Sequence, residues 1–140
     1  MKKTFYWASA HKPTPEQVHE LTAQGELKVI PAEMQEKLNN TPADKWECRQ
    51  LAHELLKLVY GVDENGNILY KEDNSNEQII VQPGGSPRFQ FELGNAAQIW
   101  IEYGVDIHIL YAHSERVSMD EPQADGSVKK ISIFKHVKFI

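Results

Sequence analysis

Short runs of β-favouring residues alternate with helical stripes along most of this chain, and that alternation leaves few folds open to it. "KTFYWAS" (3–9) is aromatic and β-favouring, and the two prolines of "HKPTPEQ" break it. Thr14 is placed to cap a helix, with Pro15 at the first position and Gln17 three residues after the cap. That helix is expected to run to about Gln24 and stop at Gly25, with Val18 and Leu21 facing inward. "ELKVIP" reads as a second strand and "AEMQEKLNN" as a short helix. "KWECRQLAHELLKLVYG" reads as a longer one, with Trp46, Leu51, Leu55, Leu58 and Val59 as its stripe and Gly61 as its end.

"VDENGNILYKEDNSNEQ" is the most polar stretch, read as a tight turn at "ENGN" and a surface loop. A calcium loop fails there, because glycine falls at the fourth position after Asp63 and no glutamate closes it. "IIVQ" (79–82) is a compact buried strand, followed by the turn "PGGSPRF", a helix around Leu93–Tyr103 and the strand "DIHILYA". The order predicts an α/β fold, mainly a parallel sheet with helices on both faces. The tail reads as two extended segments joined by an Asp-Gly turn, a C-terminal β-hairpin. One domain over 1–140 is expected, since that length buries a core without staples.

A net charge of −5 argues against coating duplex nucleic acid or an anionic membrane, which reward basic surfaces. A small anion in a local pocket stays open. The single Cys48 permits no internal disulfide and fits a reducing compartment, and no apolar run reaches membrane-spanning length. The start lacks a continuous apolar segment and reads as a strand, so a cytoplasmic protein is expected.

Ligands of open α/β sheets bind outside the carboxyl ends of the strands. Three of the expected strands end in polar or glycine-rich sequence: "ASAHKPT" with Ser9 and His11, "VQPGGSPRF" with Gln82, Gly84, Gly85, Ser86 and Arg88, and "AHSERV" with Ser114 and Arg116. Parallel strands would gather these groups on one side. Consecutive N–H groups in "PGGS" could cradle a phosphate, or the stretch could be only a turn. Arg116 could pair bidentately with phosphate or serve as a surface ion-pair partner. His11 could move a proton near neutral pH or simply occupy its turn. If Ser114 faces a ligand, strand alternation turns His113 away. Cys48 reads as a small buried hydrophobe, "HELLK" (53–57) lacks the second histidine of a zinc site, and His108 reads as a core or interface residue. No metal site and no cofactor are expected.

The opening strand with "SAHKPTPEQ", then "IIVQPGG", "ILYAHSERV" and "DGSVKKISIFKHVKF", together resemble a family of small stand-alone CRISPR-associated proteins. These are the CARF-related, Rossmann-like proteins of type III CRISPR systems, and the likeness is to their ring-nuclease branch. It implies a Rossmann-like (CARF-like) domain and a homodimer that binds and degrades a cyclic oligoadenylate, most often cyclic tetraadenylate. The chemistry implied is metal-independent attack by a ribose 2′-hydroxyl. On that resemblance His11 transfers the proton, Arg116 clamps the phosphate, and Ser9 and Ser114 position it. Gln82, Gly84, Gly85 and Ser86 line the ligand site and His136 reaches it from the hairpin. "SPRFQFELGN" departs from the family pattern as an insertion after the third strand. A non-catalytic binder of the same messenger, or a small α/β interaction module with no nucleotide, are the competing readings.

Overall fold

The computed structural model describes residues 2–9, 11–61 and 77–140. The expected "ENGN" turn and most of the polar stretch around it lie outside these residues. The chain divides into two compact units, Met1–Leu110 and Tyr111–Ile140.

The first unit is α/β. Four strands, β1 (Lys2–Ala8), β2 (Glu26–Val29), β3 (Glu77–Pro83) and β4 (His108–Ile109), form one parallel sheet in the order β2-β1-β3-β4. Four helices connect them: α1 (Pro15–Thr22), α2 (Ala32–Asn39), α3 (Lys45–Tyr60) and α4 (Pro87–Glu102). The chain winds from β1 to one side and then crosses back to β3, the doubly wound pattern of Rossmann-like folds. β1 and β3 are the central pair and are buried on both faces, as a parallel sheet requires. Ala8, Ile79 and Val81 point to one face and pack with Met34, Leu38, Leu55, Leu56, Leu93 and Ala97 of α2, α3 and α4. Phe5, Trp7 and Ile80 alternate to the other face, and Leu21 is the fully buried residue of α1.

Local chemistry explains the helix ends. The Thr14 hydroxyl accepts from the Gln17 N–H at 3.2 Å, and the Gln17 side chain accepts from the Thr14 N–H at 2.9 Å. That reciprocal box buries Gln17, so α1 turns Gln17 and Leu21 inward while Val18 is half-buried. Gly25 follows because a Cβ there would collide with the Lys3 carbonyl oxygen. Asp44 caps α3 through the N–H groups of Trp46 and Glu47. Trp46 and Leu58 are exposed at 57% and 44%, off the stripe expected of them, and Trp46 instead lies under the Arg49 guanidinium at 4.7 Å.

Two boundaries differ from expectation. α4 begins at Pro87, so "SPRFQFELGN" forms the cap and first turns of the helix. β4 is only two residues long, and Ala112 to Arg116 belong to the second unit instead of ending a strand of the parallel sheet. That unit is the expected hairpin, β5 (Ala112–Pro122) antiparallel to β6 (Val128–Phe139). Its turn uses Gly126 at φ 87° and Asp125, whose carboxylate accepts from the Ser127 N–H and hydroxyl at 2.9 and 2.6 Å. Those two bonds hold the Asp125 carboxyl below its ordinary pKa.

His53 of α3 accepts a hydrogen bond at Nδ1 from the Trp100 indole of α4 at 3.1 Å. Burial, with help from Lys57 and Arg49, lowers its pKa from the usual imidazole value. As pH falls below about 6.5 the unfolded chain gains a proton at His53 that the fold resists. This contribution to stability is therefore present above that pH and is lost as pH falls toward the depressed value. Urea midpoints at pH 7 and pH 5.5 should show a smaller acid loss in His53→Gln than in wild type, and equal losses would dissociate His53 from it.

Candidate functional site

The carboxyl ends of β1 and β2 open into a cavity of about 510 Å³ lined by Trp7, Ser9, His11, Lys12, Pro13, Val29 and Gln35. Trp7 and Val29 are register partners on adjacent strands and share a sheet face, which Ser9 rejoins two residues on. Gln35 comes from α2 and is held there by its amide, which donates to the Ile30 carbonyl at 3.1 Å. The loop after β1 is fixed from below, where the Trp7 indole N–H donates to the His11 carbonyl at 2.8 Å. The Trp7 and His11 rings meet edge to face, 5.8 Å apart. His11 is exposed, and its Nδ1 lies 3.2 Å from the Lys12 carbonyl. With the proton on Nδ1, the tautomer this bond favours, Nε2 is the basic nitrogen.

Ser9 is buried and sits where β1 meets the loop after β3. The Gly84 N–H donates to the Ala8 carbonyl at 3.1 Å, extending the ladder past the strand ends. A Cβ at Gly84 would lie 2.7 Å from the Ser9 hydroxyl oxygen and 2.9 Å from its Cα, so glycine is required for this approach. Gly85 follows at φ 96°. The Ser86 N–H donates to the Thr41 hydroxyl at 3.3 Å, while the Ser86 hydroxyl caps α4 by accepting from the Phe89 N–H at 3.2 Å. The N–H groups of Gly84 and Ser86 in the "PGGS" turn are thus committed to the fold.

Gln82 is the register partner of Trp7 and lies on the same sheet face. It is 6% exposed, and its amide group donates to the Pro83 carbonyl at 3.0 Å. Its Oε1 is buried with no hydrogen-bond partner. A buried acceptor left unpaired costs about 1–3 kcal/mol, so a donor brought by a ligand would recover that cost.

Of the residues singled out from sequence, Ser9, His11, Gln82, Gly84, Gly85 and Ser86 belong to the first unit, and the first two share the cavity. Ser114, Arg116 and His136 belong to the hairpin. Ser114 and Arg116 are exposed there, Ser114 stands opposite His136, and His136 packs on Phe139 with ring centres 4.7 Å apart. A register shift falls between His113 and Ser114. Trp7, Lys12, Pro13, Val29 and Gln35 complete the cavity and escaped sequence reading. The β1–β2 register was the signal that could have found Val29.

Elsewhere Cys48 is buried, and burial, with Glu92 nearby, pushes its thiol pKa up, away from the thiolate. His108 is half-buried between Asp106 and Gln78, at 2.8 and 3.0 Å. Among the described residues no group of three or more His, Cys, Asp or Glu side chains is arranged to hold a metal ion, and no helix is long and apolar enough to cross a membrane.

Gly84→Ala should cost about 1–3 kcal/mol, the usual penalty of overpacking a tight site, read as a lowered urea midpoint. An unchanged midpoint would mean that the two backbones separate freely.

No curated protein and no solved structure matches this chain. Residues 3–140 match the model of a family described as the uncharacterized protein MJ1673 family.

Proposed function

The chain belongs to the uncharacterized protein MJ1673 family, and we propose that this member is a ring nuclease, binding and opening a cyclic oligoadenylate, most simply cyclic tetraadenylate. The observation that carries the reading is the cavity at the carboxyl ends of β1 and β2, where Ser9, His11 and Lys12 meet beside an indole wall. Ligands of open α/β sheets bind outside the carboxyl ends of the strands, and this cavity lies at two of those ends. A lysine ammonium and a serine hydroxyl there suit a phosphodiester, and the unpaired Gln82 oxygen suits a donor such as an adenine amino group. The likeness of "SAHKPTPEQ" and "IIVQPGG" to the CRISPR-associated family supports the same reading.

The chemistry is a transesterification. A ribose 2′-oxygen attacks the adjacent phosphorus in line with the 5′-oxygen, the P–O5′ bond breaks, and the products are a 2′,3′-cyclic phosphate and a 5′-hydroxyl. The 2′-hydroxyl proton passes to a base and a proton reaches the departing 5′-oxygen. His11 Nε2 is the base in this proposal, Lys12 and Ser9 stabilise the charged phosphoryl oxygens, and the fixed loop supplies alignment. Two copies would grip a ring of fourfold character across a twofold axis. A cytoplasmic location belongs to the same proposal.

One observation favours binding without turnover. The N–H groups of Gly84 and Ser86 are bonded to Ala8 and Thr41, which leaves fewer donors for a transition state than the turn first promises.

Incubation of the protein with cyclic tetraadenylate in EDTA should yield linear products ending in cyclic phosphate. Ring recovered intact from the protein would establish the binder, and no binding by calorimetry at micromolar protein would leave an interaction module. His11→Ala should lower turnover at least tenfold with little change in affinity, whereas an equal loss of affinity would make His11 a contact only. Arg116, on the hairpin, is tested separately: Arg116→Ala should weaken binding by about 1.5–3 kcal/mol if it bonds a phosphate, and unchanged affinity would remove it from the ligand site.

A further inference from the structure

The hairpin is two-faced. Ser114, Arg116, Ser118 and Asp120 of β5 stand opposite His136, Phe134, Ser132 and Lys130 on one face, which is mainly polar and ends at Pro122 opposite Val128. The other carries Val117 and Met119 opposite Ile133 and Ile131, bounded at one end by Glu115 opposite Lys135 and at the other by Glu121 opposite Lys129. Met119 is 48% and Ile133 38% exposed, with Val117 and Ile131 half-buried. A two-stranded ribbon is marginal in water unless such a face is covered.

We infer that this face packs on the same face of a second copy of the chain, about a twofold axis running parallel to the strands. The charge pattern selects both partner and axis. On this face every acidic residue is on β5 and every basic residue on β6, at both ends. Rotation about an axis parallel to the strands lays β5 of one copy over β6 of the other. It sets Glu115 over Lys135 of the second copy, Glu121 over Lys129, Val117 over Ile133 and Met119 over Ile131. An axis across the strands would instead lay β5 on β5, glutamate facing glutamate and lysine facing lysine, which electrostatics opposes. The face is self-complementary in one orientation, as an isologous dimer requires. A patch roughly 20 Å long and two strands wide is small beside the ~800 Å² per partner of a standard interface, so the dimer is expected to exchange with monomer at micromolar concentration. The inference rests on the hairpin alone and stands whether or not a nucleotide binds.

Sedimentation equilibrium of the whole chain should show a monomer–dimer equilibrium that weakens at least tenfold in Met119→Glu and in Ile133→Glu. Both sites are solvent-accessible, and far-UV circular dichroism checks that the fold persists. Mixing Met119→Cys with Ile131→Cys chains under mild oxidation should give cross-linked dimers well beyond those of either variant alone, with Cys48 buried in all. Wild type that stays monomeric at several hundred micromolar would overturn the proposal, as would dimerisation indifferent to both glutamates. Cross-linking of Met119→Cys with Val117→Cys chains in preference to Ile131→Cys chains would overturn the axis. None of these results depends on ring cleavage, so failure here and failure of the nuclease reading are told apart.

Discussion

The side-by-side parallel pairing of β1 and β3 is the constraint from which the candidate site follows. Their register runs without interruption from Lys2 opposite Glu77 to Ala8 opposite Pro83, so both strands end at the same level. The next residues of each must then leave in different directions, one into α1 and one into α4. Gly84 lets the two departing backbones touch, and the Ala8 carbonyl adds a further bond between them. Ser9 is buried by that closeness, and the loop that follows it curls over the Trp7 indole to present His11 and Lys12. The cavity opens on the β2 side of that junction, between the loop after β1 and the end of β2, and the Trp7 indole bond to the His11 carbonyl holds one of its walls.

The helices that back this sheet are joined by a buried charge. Glu92 of α4 is 2% exposed, with Arg49 Nε of α3 at 3.3 Å and Arg88 Nη1, one turn before it, at 3.5 Å. A carboxylate removed from water is tolerated only when compensated, and two guanidinium groups reaching in from the surface do that here. The pairing fixes how α4 lies on α3, and α4 is the helix whose first residues follow the glycine turn. Thr41, between α2 and α3, holds the Ser86 N–H at the same end. The polar contacts under the site therefore run through the three helices on one face of the sheet.

Much of this was legible in the sequence because it rests on local chemistry. Thr14, Pro15 and Gln17 announce a capped helix, Gly61 and Gly25 announce ends, and the Asp-Gly pair announces the hairpin. The errors came where one residue type has two uses. Pro87 reads as a turn breaker, yet proline suits the first position of a helix capped by Ser86, a signal present but passed over. Trp46 and Leu58 fit a helical period, but tertiary packing left that edge of α3 in solvent. The strand expected over "DIHILYA" divides instead at Leu110 and Tyr111, because Leu110 bonds to Val81 of the sheet while Tyr111 bonds to Ile140 of the hairpin, a choice of partner that no local pattern carries. The unpaired oxygen of Gln82 and the arrival of Gln35 from α2 depend on three-dimensional neighbours, which no local pattern encodes.

The separation of β1 from its neighbour also bears on how the protein is made. Thr4 pairs with Ile79, more than half the chain away, whereas β5 and β6 are joined by a few residues. At roughly 5–20 residues per second, synthesis holds the first strand without its central partner for several seconds, with Phe5 and Trp7 uncovered. β2 is a short and largely exposed companion in that interval. The last strands can close on each other within microseconds of emerging. The aromatic side chains of β1 thus wait for their partner strand, and it is there that a chaperone, or an error, would find the chain.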